Sequence, residues 1–341
     1  MFRAHRFTGA AGACVGFERP SVARTLVRDE SSIAAVNSQP AASARLGFQV
    51  SLLLLLGLVV VGCAGTAGTR SKRAHYGEFV QPESGPLTAL QVQMVAKLCP
   101  AGMPQHNPDW PSDPTEFVVR EGYALEFSNE LRIPLWVCEH VSSEQLNGPE
   151  KRADQFKVDP MLTGPRSELA DYKGSGFDRG HQAPAGDQTS DKTLKADTFY
   201  LSNMAPQVPA FNQQAWAALE GLARDWAIEY GEVWIVTGGL FYDPKEENSA
   251  TADGWINYST IGVDGVAVPT HFYKIVARRN DGTWHAIAFV LENRAYARPF
   301  NWSEYIVSVN WVEERAGIVF LPEILAPDAS ALKSQPAALW P

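Results

Sequence analysis

Asp178-Arg179-Gly180-His181 sets a titratable imidazole beside a guanidinium and a glycine, and the segment continues as Gln182-Ala183-Pro184-Ala185-Gly186-Asp187, too rich in turn formers for a helix. An imidazole has an unperturbed pKa of about 6.5, so His181 can take a proton from a water near neutral pH. Arg179 offers a planar fork of N–H donors suited to phosphate or carboxylate. One histidine among the seven in the chain says little by itself, since a loop histidine is more often a surface or packing residue. Downstream, Asn212, Glu220 and Arg224 recur at helical spacing and project from roughly one face. Glu220 and Arg224 also fit an exposed ion pair, and Asn212 a helix cap, so their types and spacing leave both readings open.

The elements that must position these residues show in the apolar patterning. Short runs at 117–119, 123–127 and 133–137, separated by Glu121-Gly122 and Ser128-Asn129, predict antiparallel strands. Further strands are expected at 198–202, 233–237, 270–277 and 284–291, with turns at Gly238-Gly239 and Asp281-Gly282. Between them, Trp216, Leu219, Leu222, Ala223 and Trp226 predict a helix over 212–230 with Asn212 as N-cap, and a second helix is expected at 310–315. Strands that follow one another without regular intervening helices point to an α+β fold. His271 and the tryptophans Trp234, Trp255 and Trp284 fall in strand-like segments, where core packing is the better reading.

With 341 residues, 45% hydrophobic and 20% charged, the chain can bury a sizeable core. The formal net charge of -9 excludes a protein that grips nucleic acid by overall charge, so any such site must be a local basic patch. Residues 52–61 form an unbroken apolar run, with Arg45 upstream and Val60-Val61-Gly62-Cys63 at its end, the layout of a secretory signal. That ending resembles the lipobox of bacterial lipoproteins, which implies a lipid on Cys63 and an exported chain, either secreted or anchored to a membrane and facing the periplasm or exterior. The long mixed segment before Arg45, with Asp29-Glu30, departs from such signals, and a wrongly assigned translation start would account for it. The organisation expected is therefore a signal or targeting region at 1–62, a polar tether at 63–86, a folded domain at 87–330 and a tail at 331–341. Of the remaining thiols, Cys99 and Cys138 suit either a disulfide or two buried free groups, and neither has zinc-site spacing.

Several blocks taken together resemble a known family. Phe177 to His181, Asp197-Thr-Phe-Tyr-Leu-Ser-Asn203, Pro206-Gln207-Val208-Pro209, Asn212-Gln-Gln-Ala-Trp216, Leu219-Glu220, Val268-Pro-Thr-His-Phe-Tyr-Lys274 and Glu314-Arg-Ala-Gly-Ile-Val-Phe-Leu-Pro322 are similar, in order, to the DNA/RNA non-specific nucleases of the ββα-metal type, endonuclease G among them. The resemblance implies a central antiparallel sheet flanked by helices and a ββα-metal active-site motif. It implies His181 as general base, Asn203 orienting the imidazole, and magnesium (Mg2+, with manganese, Mn2+, substituting) held directly by Asn212. Arg179 and Arg224 would contact phosphate and Glu220 would support the metal's water shell. Arg152 would stabilise the transition state, with Lys151 or Arg166 as alternatives, and Asp178 would be structural. Substrates would be DNA and RNA, cut to 5'-phosphate and 3'-hydroxyl ends, and the protein would form a homodimer. The rival readings are a nucleic-acid-binding or inhibitory lipoprotein without catalysis, and a phosphodiesterase acting on smaller substrates.

Overall fold

The computed structural model describes residues 70–75, 87–107, 114–150, 155–247, 250–252, 255–325 and 327–341, all within one compact unit. The expected signal region, Cys63, most of the tether, Lys151 and Arg152 lie outside the described residues.

In chain order the strands are β1 (Arg70–His75), β2 (Gln105–His106), β3 (Thr115–Val119), β4 (Tyr123–Ser128), β5 (Ile133–Ser142), β6 (Asp178–His181), β7 (Met204–Gln207), β8 (Glu232–Leu240), β9 (Trp255–Ile261), β10 (Val266–Val268), β11 (His271–Asn280), β12 (Thr283–Glu292), β13 (Ile306–Val307) and β14 (Ile318–Val319). The α-helices are α1 (Ala89–Leu98), α2 (Ser143–Leu146), α3 (Leu169–Tyr172), α4 (Lys192–Asp197), α5 (Ala217–Tyr230), α6 (Val309–Ala316) and α7 (Asp328–Lys333). Seven strands form the central antiparallel sheet in the order β13-β12-β11-β8-β5-β4-β3, which is the α+β architecture expected from the patterning.

Both faces of that sheet are covered. On one, α5 packs against β8 and β5 through the buried Leu219, Ala223, Trp226 and Ala227, whose helical spacing forms an apolar stripe. Phe211 and Trp216, just before α5, lie 5.7 and 5.6 Å from the ring of Phe272 on β11. Burying such side chains contributes about 1.5–3 kcal/mol each, enough to fix where the helix enters. On the same face, towards β3, a smaller cluster gathers Val118, Tyr123, Leu125, Phe127 and Val137 under Leu162 and Ala183, while the opposite face is covered by α1 against β5 and by Phe320, 5.2 Å from Tyr273. Ala183 carries the chain just beyond His181, so this cluster seats the segment that bears His181 on the sheet. Strand β4 is buried along its whole length and includes Glu126, whose carboxylate accepts from Thr115 Oγ1 and Trp136 Nε1 and pairs with His106.

The structure departs from the patterning in five places, the first being the expected turn at Gly238-Gly239, which lies inside β8 with both glycines paired to Tyr273 and Phe272 of β11. Residues 198–202 form no strand: they close α4 and enter a short 3-10 turn at Leu201–Asn203, because the Thr198 hydroxyl caps α4 by donating to Lys195 O. Within the expected tether, β1 pairs along β9. The terminal residues pack on the body rather than trail from it, with Trp340 4.9 Å from Trp226, whose Nε1 donates to Pro341 O. Finally, Asn212 is not a helix cap, as described below. Cys99 and Cys138 are buried free thiols. Among the described residues no helix is long and apolar enough to cross a membrane.

Candidate active site

Strands β6 and β7 pair antiparallel in the register Asp178↔Gln207, Arg179↔Pro206, Gly180↔Ala205 and His181↔Met204. The chain then passes through Phe211–Trp216, a π-helical turn, into α5, which completes a ββα unit. Gly180 is required where it stands: a Cβ there would lie 2.2 Å from Oε1 of the buried Gln207, closer than any side chain can tolerate. The N–H groups of Phe211 and Asn212 both donate to Val208 O at 2.9 Å, so Asn212 lies inside the helical segment and the N-cap expectation is corrected. Widened π turns arise where a side chain must be re-aimed, and they are frequent at functional sites.

Asn212 Nδ2 donates to Asp178 Oδ2 at 2.9 Å, and Gln213 Nε2 donates to the same oxygen at 2.8 Å. Asp178 therefore ties the first strand of the unit to its helix. With its amide nitrogen held by Asp178, Asn212 has its Oδ1 left as the oxygen it can offer to a cation. Among the described residues no group of three or more His, Cys, Asp or Glu side chains gathers as a metal site.

Asn203 is fully buried, and its side chain binds backbone. Its Oδ1 accepts from Ala183 N at 2.9 Å, and its Nδ2 donates to Ala183 O and Thr198 O, both at 2.9 Å. Gln182 N also donates to Asn203 O at 3.0 Å. The expected partner of Asn203 was the imidazole; what the carboxamide grips instead is the backbone that leaves His181. The imidazole itself packs edge-on against Phe199, with centroids 5.0 Å apart, and beside Phe156 at 5.6 Å.

A cleft of about 1050 Å³ opens over this unit. His181, Arg179, Asn212, Glu220 and Arg224 all line it, whereas Asn203 sits behind it. Among the described residues Lys173, Lys195, Arg179 and Arg224 face it against Asp178 and Glu220 as acids, a local cationic surface on an acidic chain. Arg166 does not line the cleft; it donates to Leu162 O and pairs with Glu168. Arg224 Nη1 donates to Asp187 Oδ1 at 2.7 Å, a contact that the sequence reading missed. Burial pushes the Asp187 carboxyl up from its ordinary value, and Arg224 opposes that shift.

Behind Arg224 lie two more charged groups with no role foreseen from sequence. Lys274 on β11 is fully buried and donates to Thr237 Oγ1 at 2.8 Å. Burial pulls its ammonium down from the usual lysine range. On β5, Glu139 is buried and neither carboxylate oxygen has a hydrogen-bond partner among the described residues. Burial, reinforced by Asp187, pushes the Glu139 carboxyl well above its ordinary value, more than Lys274 can offset. The stability linked to this group is fully present below the ordinary carboxylate range and is lost as pH rises through the raised folded-state value. Glu139→Gln should therefore flatten the alkaline side of the melting-temperature profile and melt higher than the parent at neutral pH. Parallel pH–melting curves for the two proteins would refute this assignment.

Residues 106–326 match the profile of the family described as DNA/RNA non-specific endonuclease. Nuclease C1 of Cunninghamella echinulata var. echinulata is 36% identical over 220 residues, covering 63% of this chain and 86% of that protein. The mitochondrial endonuclease G of Homo sapiens is 38% identical over 218 residues, covering 63% of this chain and 72% of that protein. A crystal structure of an EndoG/EndoGI complex, concerned with the mechanism of EndoG inhibition, aligns with a TM-score of 0.60 at 32% identity, covering 69% of this chain and 94% of that one.

Proposed function

We propose, from the premise that this chain belongs to the DNA/RNA non-specific endonuclease family, that it is a magnesium-dependent nuclease cutting DNA and RNA to 5'-phosphate and 3'-hydroxyl ends. The observation that carries this reading is the cleft itself, where His181 and Arg179 from β6 face Asn212, Glu220 and Arg224 from the following helix.

His181 accepts the proton of the attacking water as general base. Arg179 and Arg224 bind the phosphoryl oxygens, where charge accumulates as the bond to the nucleophile forms. Asp187 keeps Arg224 in place from behind. The donor set suits a hard cation with few protein ligands, because magnesium keeps several of its waters and the carboxamide oxygen of Asn212 is oriented by Asp178. Bound there, magnesium, or manganese in its stead, supplies charge neutralisation for the departing 3'-oxygen. Glu220 accepts hydrogen bonds from water in the same part of the cleft. Contacts confined to phosphate and sugar position a duplex without reading its bases, which supports activity on both polymers.

Incubating the purified protein with supercoiled plasmid and with RNA, in magnesium and then in EDTA, tests the proposal. Nicking of both polymers that stops in EDTA is the expected result. A folded protein that cleaves neither polymer would overturn it. We further infer export with a lipid on Cys63, supported by the apolar run and lipobox at 52–63. Cys63→Ser should then move the protein from the membrane to the soluble fraction, and unchanged fractionation would place the anchor elsewhere.

A further inference from the structure

Phe156 has no reactive group, yet it touches two of the groups assigned to the chemistry. Its ring centroid lies 5.6 Å from that of His181, and the Arg179 guanidinium carbon sits 4.2 Å from the same centroid. Phe199 closes the set, 5.2 Å from Phe156 and 5.0 Å from His181, with near-perpendicular planes. The backbone fixes Phe156 there: Lys157 N donates to Phe199 O at 3.1 Å, and Leu201 N donates to Lys157 O at 2.9 Å. Phe156 also forms part of the cleft wall.

Arg179 makes no ion pair among the described residues, and its Nε has no hydrogen-bond partner there. Arg224, by contrast, is steadied by a carboxylate. The difference has a chemical consequence. A carboxylate occupies part of an arginine's fork and offsets its charge, whereas an aromatic face attracts the cation through its quadrupole and leaves the N–H donors open.

Building on the proposed nuclease reading, we propose that Phe156 is a positioning residue whose ring fixes the Arg179 guanidinium relative to the His181 imidazole, setting the register between the phosphate clamp and the base. Phe156→Leu keeps an apolar side chain of similar bulk and removes the π face.

The test uses the whole chain and two independent readouts. In a His181→Ala background, which separates binding from cleavage, the affinity for a fluorescein-labelled DNA duplex should fall about 2- to 5-fold on Phe156→Leu, the range for a partly exposed cation over a ring. The same substitution should have no further effect when Arg179→Ala is already present. Equal losses with and without Arg179, or no loss, would overturn the proposal. In the parent background, kcat on plasmid should fall by at least about 10-fold, because small misplacements of reacting groups are costly. Phe156→Tyr should restore most of it. Should Phe156→Leu fail to fold, Phe156→Met serves as the second variant that lacks a ring. A parent protein that cuts no nucleic acid would sink the nuclease reading, while the duplex-affinity series would still decide the role of Phe156.

Discussion

His181→Ala is expected to lower the rate of plasmid cleavage by about 10² to 10⁴-fold, the usual contribution of a general base. The loss should appear in kcat, with duplex binding little changed, because the cleft's cations and Asn212 stay in place. The structure also bounds the cost to the fold. The imidazole packs against Phe156 and Phe199 at 5.6 and 5.0 Å, and aromatic contacts of this kind contribute about 0.5–1.5 kcal/mol each. The backbone beyond His181 does not depend on the ring, since Asn203 holds Gln182 and Ala183 through its carbonyl and carboxamide. The hairpin should therefore survive, and melting should drop by roughly 2–12 °C, at about 2–4 °C per kcal/mol over the two contacts. Turnover near that of the parent in a folded variant would show that another group activates the water.

Much of this site was legible because local rules and tertiary packing agree over most of it. The pair Asp281-Gly282 marked a strand end correctly, though Gly238-Gly239 did not, and the apolar stripe from Trp216 to Trp226 gave the helix that carries Glu220 and Arg224. The departures share a cause: partners, main chain or side chain, that are remote in sequence. Asn212 has a good capping type, but Asp178 draws its carboxamide across to β6 while Val208 O takes both amides at the helix entry. Residues 198–202 have the composition of a strand, yet their backbone is used to hold Asn203 and Phe156's neighbour Lys157. Asn203 stood in a recognisable block, but nothing in its sequence position says whether its carboxamide meets a ring or a main chain. Lys274 offered a signal that went unused: a lysine inside a strand of otherwise apolar residues is rarely solvated, and burial implies partners such as Thr237 and the nearby carboxyls. Glu139 gave no comparable sign, because an alternating strand allows an acid on an exposed face and only the second covering layer makes β5 buried on both sides.

Asn212→Ala is expected to be as damaging as loss of the base, but through the metal. It removes the carboxamide oxygen assigned to the metal, so the rate should collapse at ordinary magnesium and should not recover as magnesium is raised. The fold should lose only about 1 kcal/mol, the net worth of the hydrogen bond to Asp178, since Asn212 is not a cap and Gln213 still holds the same carboxylate. Asn212→Asp makes the sharper test. It keeps an oxygen at the site but exchanges the amide donor for a second carboxylate against Asp178 Oδ2, where 2.9 Å now separates a donor from an acceptor. Two carboxylates so close cannot both ionise freely, so the empty site is destabilised at neutral pH and a divalent cation relieves the repulsion. The Asp variant should therefore keep magnesium-dependent activity with a midpoint at less magnesium than the parent, and its melting temperature should rise with magnesium more than the parent's. If instead the magnesium dependence of both variants matches the parent, the direct ligand is not Asn212, and the carboxylates of Asp178 and Glu220 become the groups to test.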